Sequence, residues 1–376
     1  MTSSCMFDPS RPEQWTTINW GLAERVVARL QNRIALASSA GLHRKVRDLQ
    51  RLLTKSLSAR LISVRRVAQQ NKGKSTPGVD GATWITPDRK LQEARSLANM
   101  KQAAMPLRRV FIPKSNGKQR LLGIPCMRDR AHQALWALAL QPIAEEHSDP
   151  ASYGFRPHRS TWDAYAQIQL LLGRQKSGRA SEWVLDADIA GFFDHLSHDW
   201  LIKNVPMEKT VLKRWLKAGV LQEGEFKKTD EGTPQGGVIS PVLANIALTG
   251  MEAYLAKRFP RGHSGTGSAR RMHRTQINLV RYADDFITTG RSHRQLLRVK
   301  DVLSEFLAER GLHLSEEKTQ IVHVDEGFNF LGWTFRRLNN TFLGKIDPKG
   351  VAAHKAAIKT LIKQSGNKPV DVMVRK

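Results

Sequence analysis

The chain has 376 residues, enough for more than one hydrophobic core, and carries 60 Lys and Arg against 34 Asp and Glu, a formal net charge of +26. Such an excess fits a long polyanion, which releases bound counterions as its phosphates are neutralised, and argues against an enzyme of small neutral molecules. Two cysteines, Cys5 and Cys126, exclude a disulfide framework and a Cys-pair zinc site. The longest apolar run, residues 134–140, is too short to span a bilayer, and residues 1–11 hold no leader core, so no membrane is expected and the setting reads as reducing and cytoplasmic.

Residues 13–70 have helical periodicity, with Leu42, Val46, Leu49, Leu53, Leu57, Leu61 and Val64 three or four apart. Arg44, Lys45, Arg47, Arg51, Lys55, Arg60, Arg65 and Arg66 fill the other faces. Asp48 is the only acid between Arg25 and Lys74, so a helix pair facing nucleic acid is expected. Residues 71–81 (NKGKSTPGVDG) read as a loop. Residues 110–113 and 120–124 read as strands around a turn at Ser115, Asn116 and Gly117. Residues 130–141 predict a helix with Ala131, Leu135, Leu138 and Ala139 inward, and residues 183–189 a short apolar strand carrying two acids. A loop at 232–237 precedes one apolar helix over 240–255, with Pro241 at its start. Residues 261–274 form a flexible basic insert in this reading, and 276–290 a β-hairpin with Asp284 and Asp285 near its tip. Residues 294–310 predict an amphipathic helix, with Leu296, Val299, Leu303 and Phe306 on one face and Gly311 as its stop. Strands that meet in hairpins among helices indicate the α+β class.

The acids of these strands carry the chemical argument. Asp284 and Asp285 lie between apolar Leu279-Val280 and Phe286-Ile287, and Asp188 lies in VLDADIAGFFD. Aspartate is poorly suited to strand interiors, and three buried together repel one another unless cations neutralise them. Carboxylates converging in a basic chain suit magnesium, which keeps substrate phosphates as further ligands and serves in-line attack on an α-phosphate. Asp186 and Asp188 share a strand face, and spacing alone does not choose between them. His195 and His198 have no further His or Cys cluster beside them and read as helix-start polar residues.

Tyr282-Ala283-Asp284-Asp285 resembles the polymerase box of reverse transcriptases. The segments INWGLAERVVARLQNRI, RRVAQQNKGKSTPGVDG, RRVFIPKSNGKQRLLGIPCMRDRAHQ, SYGFRPHRST, DADIAGFFDHLSH, GTPQGGVISPVLANI, RYADDF, GLHLSEEKT and FLGWTF follow the order of group II intron-encoded reverse transcriptases and maturases. The resemblance implies a right-hand polymerase with fingers and an antiparallel palm sheet. It implies two Mg2+ ions on Asp188, Asp284, Asp285 and the carbonyl of Ile189. It assigns Lys114, Arg120 and Lys318 to the triphosphate, Phe193 to a gate against a ribose 2′-hydroxyl, and Gln235 to the nucleotide or template base pair. Arg156, in Tyr153 to Pro157, falls on the template side, and Gly332 and Trp333 in the primer grip; read instead as an exposed basic hairpin, the turn at Ser115 to Gly117 lays Lys118 on template phosphates. Taken alone, Phe193 and Trp333 also read as core residues.

The implied organisation is a basic helical extension (1–75), fingers (76–182), a palm (183–336) with a fingers segment at about 200–232, and the start of a truncated thumb or maturase region (337–376), with room for one helix over 351–362 and no endonuclease motif. The implied activity is RNA-directed DNA polymerisation for retrohoming, with a group II intron RNA template, a DNA primer or target and deoxynucleoside triphosphates as partners, beside the nucleoid. The alternatives are a splicing cofactor with weak or lost polymerase chemistry, and a related polymerase used in phage defence.

Overall fold

The computed structural model describes residues 14–99, 102–113, 119–173, 181–222, 224–233, 236–260, 262–264, 271–273 and 276–365. The basic N-terminal region forms three helices, α1 (Trp20–Ser39), α2 (His43–Lys55) and α3 (Leu57–Arg65), the last running into a π-helical turn at Arg66–Gln70. Val46, Leu49, Leu53, Leu61 and Val64 of the predicted seam are buried. The expected pair is three helices because Gly41, at φ 68°, and extended Ser56 interrupt the run. Leu42 stands at the N-cap position of α2 without a side-chain cap bond and stays 48% exposed.

Helix α4 (Pro87–Ser96) starts at a Thr86 cap with proline in its first turn. Strands β1 (Leu107–Pro113) and β2 (Gln119–Ile124) pair antiparallel, with Arg109 opposite Gly123 and Ile112 opposite Arg120. Helix α5 (Met127–His147) outruns its expected span at both ends. Ala131, Ala134, Leu135, Trp136, Ala139 and Leu140 are all buried, so the helix is covered on every side and lacks the stripe that marks a surface helix. A Ser160–Asp163 capping box opens α6 (Thr161–Leu172), and β3 (Trp183–Asp188) follows. Next come α7 (Phe192–His195), α8 (His198–Asn204), α9 (Lys209–Leu216), β4 (Val220–Gln222) and β5 (Glu225–Lys227).

The single helix expected over 240–255 is two, α10 (Ser240–Leu248) and α11 (Met251–Arg258). Gly250 between them takes φ 90° and donates its N–H to the Asp149 carboxylate, which ends one helix before the next starts. Of the expected basic insert, the described residues form β6 (Gly262–Ser264) paired with β7 (Arg271–His273), and the rest lies outside the described residues. Strands β8 (Asn278–Tyr282) and β9 (Asp285–Gly290) form the predicted hairpin. Helix α12 (His293–Ala308) buries Leu296, Val299, Leu303 and Phe306, and Gly311 ends it at φ 75°. The chain closes with β10 (Gln320–His323), β11 (Phe328–Phe330), β12 (Trp333–Leu338), β13 (Thr341–Ile346) and α13 (Pro348–Ser365). Residue 337, where the thumb region was drawn to begin, lies inside β12.

The chain divides into two compact units. The first comprises Met1–Pro150, Ile189–Met251 and Glu305–His313. It holds the sheet β2-β1-β4-β5 and a core in which Leu61, Val64, Trp84, Leu97, Met127 and Ala131 meet. The second comprises Ala151–Asp188, Glu252–Ser304 and Leu314–Lys376. It holds the antiparallel sheets β10-β3-β9-β8 and β11-β12-β13, and Ile168 and Leu172 of α6 share a core with Val184, Val280, Ile287 and Phe335. The class is α+β, with the Asp284–Asp285 hairpin on an antiparallel sheet.

Candidate active site

Strand register brings the acids of the second unit together. In the β3–β9 pair, Ala187 faces Phe286 and Asp188 faces Asp285. Ala187 and Phe286 point into the core, so alternation sends Asp186 and Asp188 to the opposite face. Asp188 is the acid across from Asp285. Asp186 lies two residues back and accepts a 3.4 Å hydrogen bond from Gln320. Burial pushes the Asp186 carboxyl up to about 6, the Asp188 charge adds to the rise, and Gln320 opposes it.

The hairpin tip is held from three sides. Tyr282 pairs with Asp285, leaving Ala283 and Asp284 as the turn, and Ala283 takes the left-handed φ of 59°. That conformation is uncommon for a residue with a Cβ and persists only where its surroundings fix it. The fully buried Arg281 donates from Nη1 to the Ala283 carbonyl at 3.0 Å. Residues 151–153 run beside β8, with Arg281 N–H on Ala151 O and Tyr153 N–H on Arg281 O, both at 2.9 Å. Gly154 then crosses the turn so closely that a Cβ there would stand 2.8 Å from the Tyr282 carbonyl carbon.

Lys318 completes the charge arrangement. Its Nζ pairs with the Asp188 carboxylate, and that bond raises the lysine pKa. Backbone links fix the approach, because Ser315 N–H donates to Asp188 O at 2.8 Å and Lys318 N–H to Ser315 O at 3.3 Å. The Asp285 carboxyl rises to about 7. The protein crowded around it contributes most, then the Asp284 and Asp188 charges and a hydrogen bond with Asp188, against the pull of Lys318. Among the described residues no three His, Cys, Asp or Glu side chains already stand in a coordinating arrangement. Lys318 offsets part of their charge, while the acids themselves repel one another and so raise Asp285. Their donor set is all carboxylate oxygen, which fits magnesium.

The other sequence-predicted residues fall as follows. Ile189 is buried directly after Asp188. Arg120 is exposed on β2. Phe193 lines a cavity of about 270 Å3 in the first unit, walled also by β1, β2, α9 and the loop at Gly232 and Thr233. Arg156 donates to Ser152 O at 2.6 Å. Gly332, at φ 81°, shapes the β11–β12 turn, and the Trp333 ring packs 4.5 Å from Tyr165 and 4.8 Å from Trp162. Lys114, Lys118, Gln235 and the turn at Ser115 to Gly117 lie outside the described residues. Sequence reasoning missed Arg281 and Gly154 as supports of the tip. An arginine within an apolar strand three residues before Asp284 was the available signal for the first.

Residues 112–335 match the family model described as "Reverse transcriptase (RNA-dependent DNA polymerase)", and residues 15–97 match the "N-terminal domain of reverse transcriptase". The chain therefore belongs to the reverse transcriptase family. It is similar to the "Group II intron-encoded protein LtrA" of Lactococcus lactis subsp. cremoris, at 31% identity over 324 residues, covering 71% of this chain and 53% of that protein. It is similar to "Protein YkfC" of Escherichia coli (strain K12), at 34% identity over 336 residues, covering 82% of this chain and 87% of that protein. Among solved structures, the telomerase of Candida albicans with a telomeric RNA fragment superposes with TM-score 0.47 at 14% identity, over 66% of this chain and 46% of that one. No helix of the described residues is long and apolar enough to cross a membrane.

Proposed function

We propose that this chain is the RNA-directed DNA polymerase of a group II intron, copying intron RNA onto a DNA primer with deoxynucleoside triphosphates and binding that RNA in support of splicing. The observation that carries the reading is Asp188 set opposite Asp285 with Asp284 at the adjoining tip, in a chain matched over residues 112–335 by the reverse transcriptase family. Asp188, Asp284, Asp285 and the Ile189 carbonyl would hold two magnesium ions, which stabilise the attacking and leaving oxygens of phosphoryl transfer.

The chain's own side chains then have separable tasks. Lys318, already aligned on Asp188, neutralises charge beside the acids and is available to a triphosphate. Arg120 and Lys114 supply further cations for the phosphates. The Phe193 ring excludes a 2′-hydroxyl, and Gln235 contacts the nascent base pair. Arg156, Lys118, Gly332 and Trp333 position the strands, and the exposed cations of α2 bind RNA phosphates. The test is extension of a DNA primer on an RNA template with deoxynucleotides and Mg2+. Template-dependent extension is the expected result. Tight, salt-sensitive RNA binding without extension would replace the polymerase reading with that of an RNA-binding splicing cofactor.

A further inference from the structure

The cavity beside Phe193 has features of a ligand site, and of its lining residues the polymerase reading uses Phe193 alone. Alternation along β1 and β2 places Arg109, Leu121 and Gly123, which line it, on the sheet face opposite Arg120. A triphosphate gripped by Arg120 therefore lies on the other side of that sheet. The floor is built by backbone pairing. Gly232 N–H donates to Leu196 O at 2.9 Å and Thr233 N–H to Phe193 O at 2.6 Å, with Gly232 so close that a Cβ would stand 2.6 Å from Asp194 O.

Two polar atoms of the lining residues are buried and without a hydrogen-bond partner. One is the hydroxyl of Thr233, a residue only 5% exposed, and the other is Nε of Arg109. A buried hydroxyl left without a partner costs about 1–3 kcal/mol, so a site that keeps one is ready to gain from a ligand. The remaining lining residues include aromatic Phe193 and Trp215, aliphatic Leu121 and Val220, and acidic Asp194 and Glu231. Glu231 is tied to His195 at 3.1 Å.

We infer that this cavity binds a purine nucleobase, independently of the substrate nucleotide. Two acids against one arginine disfavour a phosphate. A flat, uncharged ring suits a lining that includes Phe193 and Trp215, and a volume of about 270 Å3 suits one base rather than a whole nucleotide. The amino and ring N–H groups of guanine donate to carboxylates, and its carbonyl accepts from Arg109 and Thr233. Only the role of Phe193 in substrate selection rests on the proposed function; binding itself does not.

The experiment is equilibrium dialysis of the full chain with labelled guanosine, repeated with excess dTTP, which offers the substrate site a triphosphate without a purine, and with the Thr233→Val variant. That substitution removes a hydroxyl that has no partner and so preserves folding. Saturable guanosine binding that dTTP leaves in place, weakened about 5-fold or more in Thr233→Val, is the expected result. No saturable binding at millimolar nucleoside, displacement by dTTP, or equal binding by the variant would each overturn it. Primer extension on the same preparation separates the two readings, since binding without extension removes the polymerase and keeps the cavity.

Discussion

At the residue scale, the acids are readable because they break a rule. Aspartates inside apolar strands carry a repulsion that needs cations, and this singles out Asp186, Asp188, Asp284 and Asp285 as candidates, among which only the family resemblance prefers Asp188 to Asp186. Sequence spacing left Asp186 and Asp188 equivalent; pairing with β9 sets Asp188 across from Asp285 and leaves Asp186 beside Gln320. The pH dependence of the site follows from Asp285. Its carboxyl, raised to about 7, holds a proton below that pH, and a metal ion held as proposed would have to displace it. Mg2+ affinity measured by calorimetry is predicted to rise between pH 6 and pH 8, with proton release on binding below pH 7. Affinity unchanged across that range would contradict the raised pKa.

At the element scale, the site depends on supports that only the fold displays. The Ala283 turn is fixed by Arg281, by residues 151–153 and by Gly154, and the last two come from a segment distant in sequence. Gly154→Ala places a methyl group against backbone that cannot yield. It is predicted to cost about 1–3 kcal/mol in urea denaturation and to depress extension further than that loss of folded protein explains. Wild-type stability in the variant would remove Gly154 as a support. Periodicity located α2 and α12 because each buries one stripe. It reached only the middle of α5, which is covered on all sides, and failed on the α10–α11 junction, where Gly250 and Asp149 end a run that reads as continuous. The short helices α8 and α9 carry too few turns for a periodic signal.

At the scale of the whole molecule, the charge of +26 sets how the chain meets RNA. Arg44, Arg47 and Arg51 are exposed on α2 while Val46, Leu49 and Leu53 face inward, so the cations are free to meet phosphates. Replacing the three arginines with glutamine is predicted to reduce the slope of log affinity against log salt by about 2, at roughly 0.7 per single-strand contact. An unchanged slope would place the RNA elsewhere. The most direct test of the whole account is Asp284→Asn compared with the wild type in RNA-templated primer extension, with RNA affinity measured on the same samples. The substitution keeps shape and removes one charged ligand. The account predicts that extension falls by about two orders of magnitude or more while RNA affinity stays nearly constant. Extension within a few-fold of the wild type would contradict the placement of the catalytic centre at these acids.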